Sequence, residues 1–168
     1  QWCKMMVEEI EQMRKELAFE TNQDEDILRQ IPEIVLKEQC PELYRNMWFE
    51  VRTIINPMIM SIWQRDCEDP ATIQIANYNI VDKQQGNWHH DESADISVVV
   101  PLNTGGYTGG GTEFHNHGTL KPIPNGHALM FPSFTNLHRG LTVEDGDRYL
   151  LVFWLYDKSR VVHLYEDL

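Results

Sequence analysis

The chain has 168 residues, 42% of them apolar, which is enough to bury a core of ordinary single-domain size. Its formal net charge of −12 repels phosphate backbones, which excludes nucleic acid as a partner, and it favours cationic peptides. No apolar run reaches the roughly 20 residues needed to cross a bilayer, so no membrane span is expected. Cys3, Cys40 and Cys67 cannot all pair with one another and sit at no metal-like spacing; reduced thiols, or at most one disulfide, are expected. Beginning at Gln1 without an initiator Met, the chain reads as an excised piece of a longer protein, so a missing signal peptide says nothing about compartment.

In chain order, Met6, Ile10, Met13 and Leu17 recur at three- and four-residue intervals among Glu and Lys, which predicts an amphipathic helix over residues 2–18. The polar stretch 21–26 breaks it. Pro41 opens a second helix whose stripe is Leu43, Met47, Val51, Ile54 and Ile55, with Pro57 ending or kinking it. Both helices are expected to buttress a sheet, their methionines serving as core and not as a binding groove. Strands are expected at 72–79, 95–101, 111–115, 127–131 and 148–156, with shorter ones near Leu120 and Leu137. They are separated by Gly, Pro and Asn turns in the pattern of a sandwich or barrel. Neither an internal repeat nor a second domain is evident. The loop 82–87 is polar, contains Gly86, and is a candidate lid.

The densest chemistry lies in Trp88-His89-His90-Asp91, with His138 and Arg148 further on. In an extended strand His89 and Asp91 share a face and His90 takes the other. With His138 from a neighbouring strand they make a two-His-one-carboxylate set that leaves positions open on a six-coordinate metal, which favours iron(II) over a closed zinc site. His115 and His117 imitate a metal pair but are read as exposed loop residues. Trp88 stands at the pocket mouth or staples its strand. Arg139 follows a ligand and so points to the opposite face. Gly109, Gly110 and Gly111 before Thr112 and Glu113 let the backbone approach the site, or make a simple turn.

Trp-His-His-Asp-Glu-Ser at 88–93, Tyr-Thr-Gly-Gly-Gly-Thr-Glu-Phe at 107–114, Ala-Leu-Met-Phe-Pro at 128–132 and Gly-Asp-Arg-Tyr at 146–149 occur in an order and spacing that resemble the iron(II)- and 2-oxoglutarate-dependent dioxygenases. Within them the blocks are most similar to the procollagen lysyl hydroxylase and prolyl 4-hydroxylase group, with Ala76-Asn77-Tyr78 leaning toward the prolyl enzymes. The resemblance implies a mainly β fold with flanking helices, a double-stranded β-helix of the jelly-roll or cupin type over 71–157. Residues 1–65 would be helical support within one domain, 1–168. It implies His89, Asp91 and His138 as iron ligands and Arg148 as partner of the distal carboxylate of 2-oxoglutarate. Lys is usual at that last position in prolyl 4-hydroxylases, so Arg148 favours the lysyl type. Tyr78 would donate its hydroxyl to the same co-substrate, or pack as a core aromatic.

The reaction so implied is hydroxylation of a peptidyl side chain, most readily lysine in a collagen-like protein, coupled to release of succinate and carbon dioxide, with ascorbate as reductant. Proline hydroxylation, oxidation of a free amino acid or small molecule, and a silent binding module are the alternatives. Lysyl hydroxylases resemble dimers in family behaviour, so the resemblance leaves a homodimer possible, although no stripe in the sequence marks an interface; the compartment is the ER lumen for a lysyl type and the cytoplasm otherwise.

Overall fold

A computed structural model describes residues 1–16, 20–21, 31–81 and 85–159. The architecture is built on one long strand, β10 (Val143–Leu155), which pairs antiparallel with β3 (Pro70–Asn79) on one side and β4 (Ile96–Pro101) on the other. β2 (Pro32–Val35) and the short β1 (Glu20–Thr21) extend the sheet beyond β3, and β8 (Leu129–Pro132) extends it beyond β4. β5 (Tyr107–Gly109) joins the first residues of β10. A smaller sheet of order β7-β6-β9 is made of β7 (Gly118–Leu120), β6 (Thr112–Phe114) and β9 (His138–Gly140). Both sheets are antiparallel, and together they form the expected jelly-roll type of fold.

Alternation along β10 divides the molecule in two. Tyr149, Leu151, Phe153 and Leu155 join Ile73, Ile75, Ile96 and Val98 on a face covered by helices, where all of them are buried. Opposite, Arg148, Leu150, Val152 and Trp154 share a face with Gln74, Ala76, Tyr78 and Val99, and that face lines a cavity. Cys3, Met6 and Ile10 of α1 (Trp2–Glu16), and Met47, Val51 and Ile59 further on, supply the helical side of the core. Each fully buried aliphatic side chain there contributes about 1.5–3 kcal/mol of apolar burial. The helices therefore buttress the main sheet as their stripes predict.

The second helix departs from expectation at Pro57. α2 (Leu36–Gln39) leads into α3 (Pro41–Glu50), then a π-helical segment (Val51–Ile55), then α4 (Asn56–Trp63), which continues past Pro57 to a left-handed stop at Gln64, φ 57°. Proline has no N–H and its ring crowds the carbonyl four residues back, and a wider π turn removes both conflicts. Asn56 N–H accordingly donates to Val51 O, five residues back. The extra residue in that turn rotates the stripe by one position, so Ile54 is exposed and Ile59 becomes the buried anchor.

Three further differences concern strands. β10 begins five residues before the expected 148, β5 is an additional strand ahead of the expected 111–115, where β6 stands, and β1 and β2 carry no alternation that a sequence reading would find. Thr21 lies in β1, while residues 22–26, Leu17 and the first part of the candidate lid, 82–84, fall outside the described residues. Cys3 and Cys67 are buried in the core, Cys40 is half-buried, and all three are free thiols. Among the described residues no helix is long and apolar enough to cross a membrane.

Candidate active site

His89 does not lie in a regular strand. It makes a single antiparallel bridge to His138, its N–H donating to His138 O at 2.9 Å and its carbonyl O accepting from His138 N–H at 3.0 Å, after which the chain turns at Glu92 and Ser93. The expected alternation therefore applies only at that bridge, and His90 does not face away: it lines the cavity with His89 and Asp91. The bridge brings the two imidazoles side by side, tilted 48° with centroids 4.3 Å apart. Asp91 stands beside both, Oδ1 3.4 Å from His89 Nε2 and Oδ2 3.8 Å from His138 Nε2. One ligand atom from each of the three falls within 4.8 Å of the others.

Each imidazole is turned by its own backbone. His89 Nδ1 lies 2.7 Å from Asn87 O and His138 Nδ1 lies 2.9 Å from Asn136 O. A carbonyl only accepts, so Nδ1 carries the proton and Nε2 presents its lone pair toward the carboxylate, the tautomer a metal requires. Burial pushes the Asp91 carboxyl up, but in the acid range where both rings carry a second proton the hydrogen bond from His89, the charge of His138 and the Ser97 hydroxyl outweigh it and hold the group below the usual carboxylate range. Burial likewise disfavours the His138 imidazolium by more than Asp91 favours it, so that ring stays neutral and ligand-competent at neutral pH. Phe131 and Phe114 pack against the His138 ring at 4.8 and 5.8 Å and fix its plane.

The carboxylate is also held from behind. Ser97 Oγ donates to Asp91 Oδ2 at 2.5 Å and lies 2.8 Å from Ser133 Oγ, both serines being fully buried. This serine pair escapes the sequence reading, although Ser97 within Ile96-Ser97-Val98-Val99-Val100 is a polar residue in an otherwise apolar strand, which is the signal that could have found it.

At the other end of the cavity Arg148 is 4% exposed, and its Nε and Nη1 have no hydrogen-bond partner among the described residues. A buried guanidinium with unmet donors is a receptor for an anion. It stands opposite Tyr78 in the β3–β10 register, its Cζ 5.6 Å from the Tyr78 ring centroid. Two glycines give it room: a Cβ on Gly110, at φ 69°, would come within 3.2 Å of Arg148 Cδ, and one on Gly140 within 3.6 Å of Nη1. Gly86 closes the roof, its N–H donating to Gly140 O at 3.1 Å. The cavity that holds both the triad and Arg148 has a volume of about 340 Å³, within the range of small-molecule sites.

The remaining candidates lie outside this volume, with one exception. Trp88 is not in the cavity wall; Arg139 sits 4.7 Å over its ring and His115 meets its edge at 5.8 Å. Arg139 is in turn bound to Glu113 at 2.6 Å, away from Arg148 as expected. His115 and His117 are exposed in the turn after β6. Thr112 is the exception and lines the cavity.

The donor set, two neutral imidazoles and an ionised carboxylate with no thiolate, fits a divalent first-row metal held with open positions, and the orphaned guanidinium fits a carboxylate across from it. Fold and site together define an oxygenase of the double-stranded β-helix class. The chain belongs to the 2OG-Fe(II) oxygenase superfamily, whose profile matches residues 73–156. It is therefore a dioxygenase, and its family implies iron(II) and 2-oxoglutarate.

Among curated proteins it is 38% identical over 71 residues to a multifunctional procollagen lysine hydroxylase and glycosyltransferase of Caenorhabditis elegans. That match covers 40% of this chain and 10% of the relative's length. Among solved structures it is similar to a prolyl hydroxylase from Trichoplax adhaerens in complex with a fragment of the oxygen degradation domain of hypoxia inducible factor. The TM-score is 0.71 at 15% identity, covering 96% of this chain and 81% of that one. It is also similar to the viral collagen prolyl hydroxylase of Paramecium Bursaria Chlorella virus-1 in complex with 2OG, with TM-score 0.60 at 18% identity, over 91% and 88% of the two chains.

Proposed function

We propose that the chain hydroxylates a peptidyl side chain, with lysine the favoured target and proline the second, using His89, Asp91 and His138 to hold iron(II) and Arg148 with Tyr78 to hold 2-oxoglutarate. The observation that carries the reading is the pairing of a convergent His-Asp-His set with a buried guanidinium whose Nε and Nη1 have no partner among the described residues, at the far end of the same cavity. Spacing supports it. From His138 to Gly140, which abuts Arg148, is two strand residues or about 7 Å, enough to accommodate the roughly 5 Å that four bonds near 1.5 Å at tetrahedral angles span between the carboxyl carbons of a five-carbon diacid. Lysine is favoured by Arg148, by the lysyl hydroxylase relative, and by a net charge of −12 that attracts cationic peptides.

Iron(II) with 2-oxoglutarate supplies the oxidation: dioxygen is split between the co-substrate, which leaves as succinate and carbon dioxide, and a substrate C–H bond, which becomes C–OH. The chain's own residues orient and exclude. Hydrogen bonds from His89 Nδ1 to Asn87 O and from His138 Nδ1 to Asn136 O hold both Nε2 lone pairs in place. Ser97 keeps Asp91 ionised and aimed. Arg148 gives its unmet N–H groups to the distal carboxylate, the Tyr78 hydroxyl adds a further donor, and Leu150, Val152 and Val99 keep water from the middle of the cavity. The protein's share is positioning and exclusion, while the cofactor carries the hard chemistry.

The test is succinate release with iron(II), 2-oxoglutarate and ascorbate, comparing lysine-containing and proline-containing collagen-like peptides with no peptide, and mass spectrometry of each peptide. Gain of one oxygen on lysine with matching succinate is expected; the same gain on proline alone moves the assignment to proline. Succinate without peptide oxidation points to a different substrate and overturns the peptidyl reading.

A further inference from the structure

Two donors in the cavity wall are used neither by the metal set nor by the Arg148 end. Gln74 is 1% exposed, and its Nε2 has no hydrogen-bond partner among the described residues; Trp154 Nε1 is likewise buried and unpartnered. Both side chains line the cavity. Gln74 pairs with Val152 across β3 and β10, and Trp154 is the next residue on that face of β10, which makes the two diagonal neighbours within reach of each other's long side chains. Trp154 also pairs with Ser97, whose hydroxyl holds Asp91, so this donor pair stands at the metal end of the floor.

A buried amide and a buried indole N–H left unmet each cost free energy, and a fold retains them where a ligand supplies the missing partner. The indole can only donate, so what is missing is an acceptor oxygen. The co-substrate is poorly placed to provide it. Gln74 lies four residues from Tyr78 along β3, about 13 Å, more than twice the roughly 5 Å span of a five-carbon diacid anchored at Arg148.

We propose that Gln74, assisted by Trp154, is a specificity-determining residue that donates a hydrogen bond to a carbonyl oxygen of the substrate beside the metal set. This rests on the reading of the cavity as the oxygenase site and deepens it: the acceptor molecule presents an amide or peptide carbonyl, not a bare hydrocarbon, to the β3 side of the cavity. A polar wall there also sets this chain apart from a site lined only by apolar groups, which would accept a purely apolar target equally well.

The experiment uses zinc-loaded protein saturated with N-oxalylglycine, an unreactive 2-oxoglutarate analogue, and follows the Gln74 side-chain amide and Trp154 indole N–H signals by nitrogen-15 NMR. N-acetyl-lysine methylamide and N-acetyl-proline methylamide are titrated in turn. The expected result is that a blocked amino acid shifts both signals, and that Gln74→Leu and the isosteric, acceptor-only Gln74→Glu weaken its binding by about tenfold. Signals that move with N-oxalylglycine and not with either probe would assign the pair to the co-substrate and overturn the proposal, as would signals that move with neither. Probe binding of the expected kind together with no peptide hydroxylation would sink the peptidyl reading and leave the Gln74 assignment standing.

Discussion

The two faces of the main sheet are made from the same strands and solve opposite problems. On the helix face of β10, Tyr149, Leu151, Phe153 and Leu155 are closed over by α1, α3 and α4, and the Tyr149 hydroxyl is met by Glu11 at 2.6 Å. On the cavity face Arg148 and Trp154, with Gln74 across from Val152, keep buried donors without partners. Among the described residues the helix face of these strands leaves a single buried polar atom unmet, the acceptor Asn77 Oδ1. Stability is built where polar groups are satisfied and apolar area is covered. Function is built one residue along, where satisfaction is deferred to a ligand.

The comparison breaks most visibly at the metal set. Asp91→Ala is expected to abolish metal binding and turnover together while far-ultraviolet circular dichroism stays native, since the residue touches no helix-face core; metal content measured beside succinate release checks it. On the other face, Leu151→Ala removes a side chain only 1% exposed and is expected to cost about 2–5 kcal/mol in urea unfolding. Its KM for 2-oxoglutarate at a temperature where the variant is folded should be unchanged; a raised KM would show that the two faces are not separable.

Ser97→Ala tests the back of the site. Loss of an outer hydrogen bond to a ligand carboxylate is expected to weaken metal affinity by about 10- to 100-fold, read by competition with a chelator, with little change in KM for 2-oxoglutarate. Arg148→Met sharpens the contrast by separating the signs. It should raise KM for 2-oxoglutarate by more than about tenfold, yet stabilise the metal-free, co-substrate-free protein by about 1 kcal/mol, because a buried charge without a partner is replaced by an apolar side chain. Equal destabilisation in both states would mean that the guanidinium has a structural partner.

The smallest effect belongs to the helix face. Burial, then the charges of Asp157 and Asp95 against the opposing Arg65, push the Cys67 thiol up to about 12. An unfolded thiol ionises near about 8.5, so above that pH the folded chain holds the proton that the unfolded chain has lost. The contribution is complete below the unfolded value and is lost as pH rises toward 12, at no more than about 1.4 kcal/mol per pH unit. Unfolding free energies between pH 8 and 10, with Cys67→Ala as the variant lacking the slope, decide it.

Much of this was legible in the sequence because it is local. Short apolar runs bounded by Gly, Pro and Asn turns mark β3, β4 and the second half of β10, three- and four-residue spacing marks α1 and α3, and His89, Asp91, His138 and Arg148 stand out as residue types with few uses in apolar strands. The spacing of those blocks was enough to suggest the family that the comparisons then showed. Other features were set by partners distant in the chain. Ser97 is an ordinary strand serine until Asp91 folds over it, and Gln74 is an unremarked polar residue until β10 places Trp154 beside it above a cavity. The π turn before Pro57, which leaves Ile54 of the expected stripe exposed and buries Ile59, depends on where the helix must present its apolar face to the sheet. Composition and periodicity report the preferences of each segment alone. Which polar groups find partners, and which are left for a ligand, is settled only when strands far apart in sequence share a face, because an unmet hydrogen bond is a property of an environment and not of a residue.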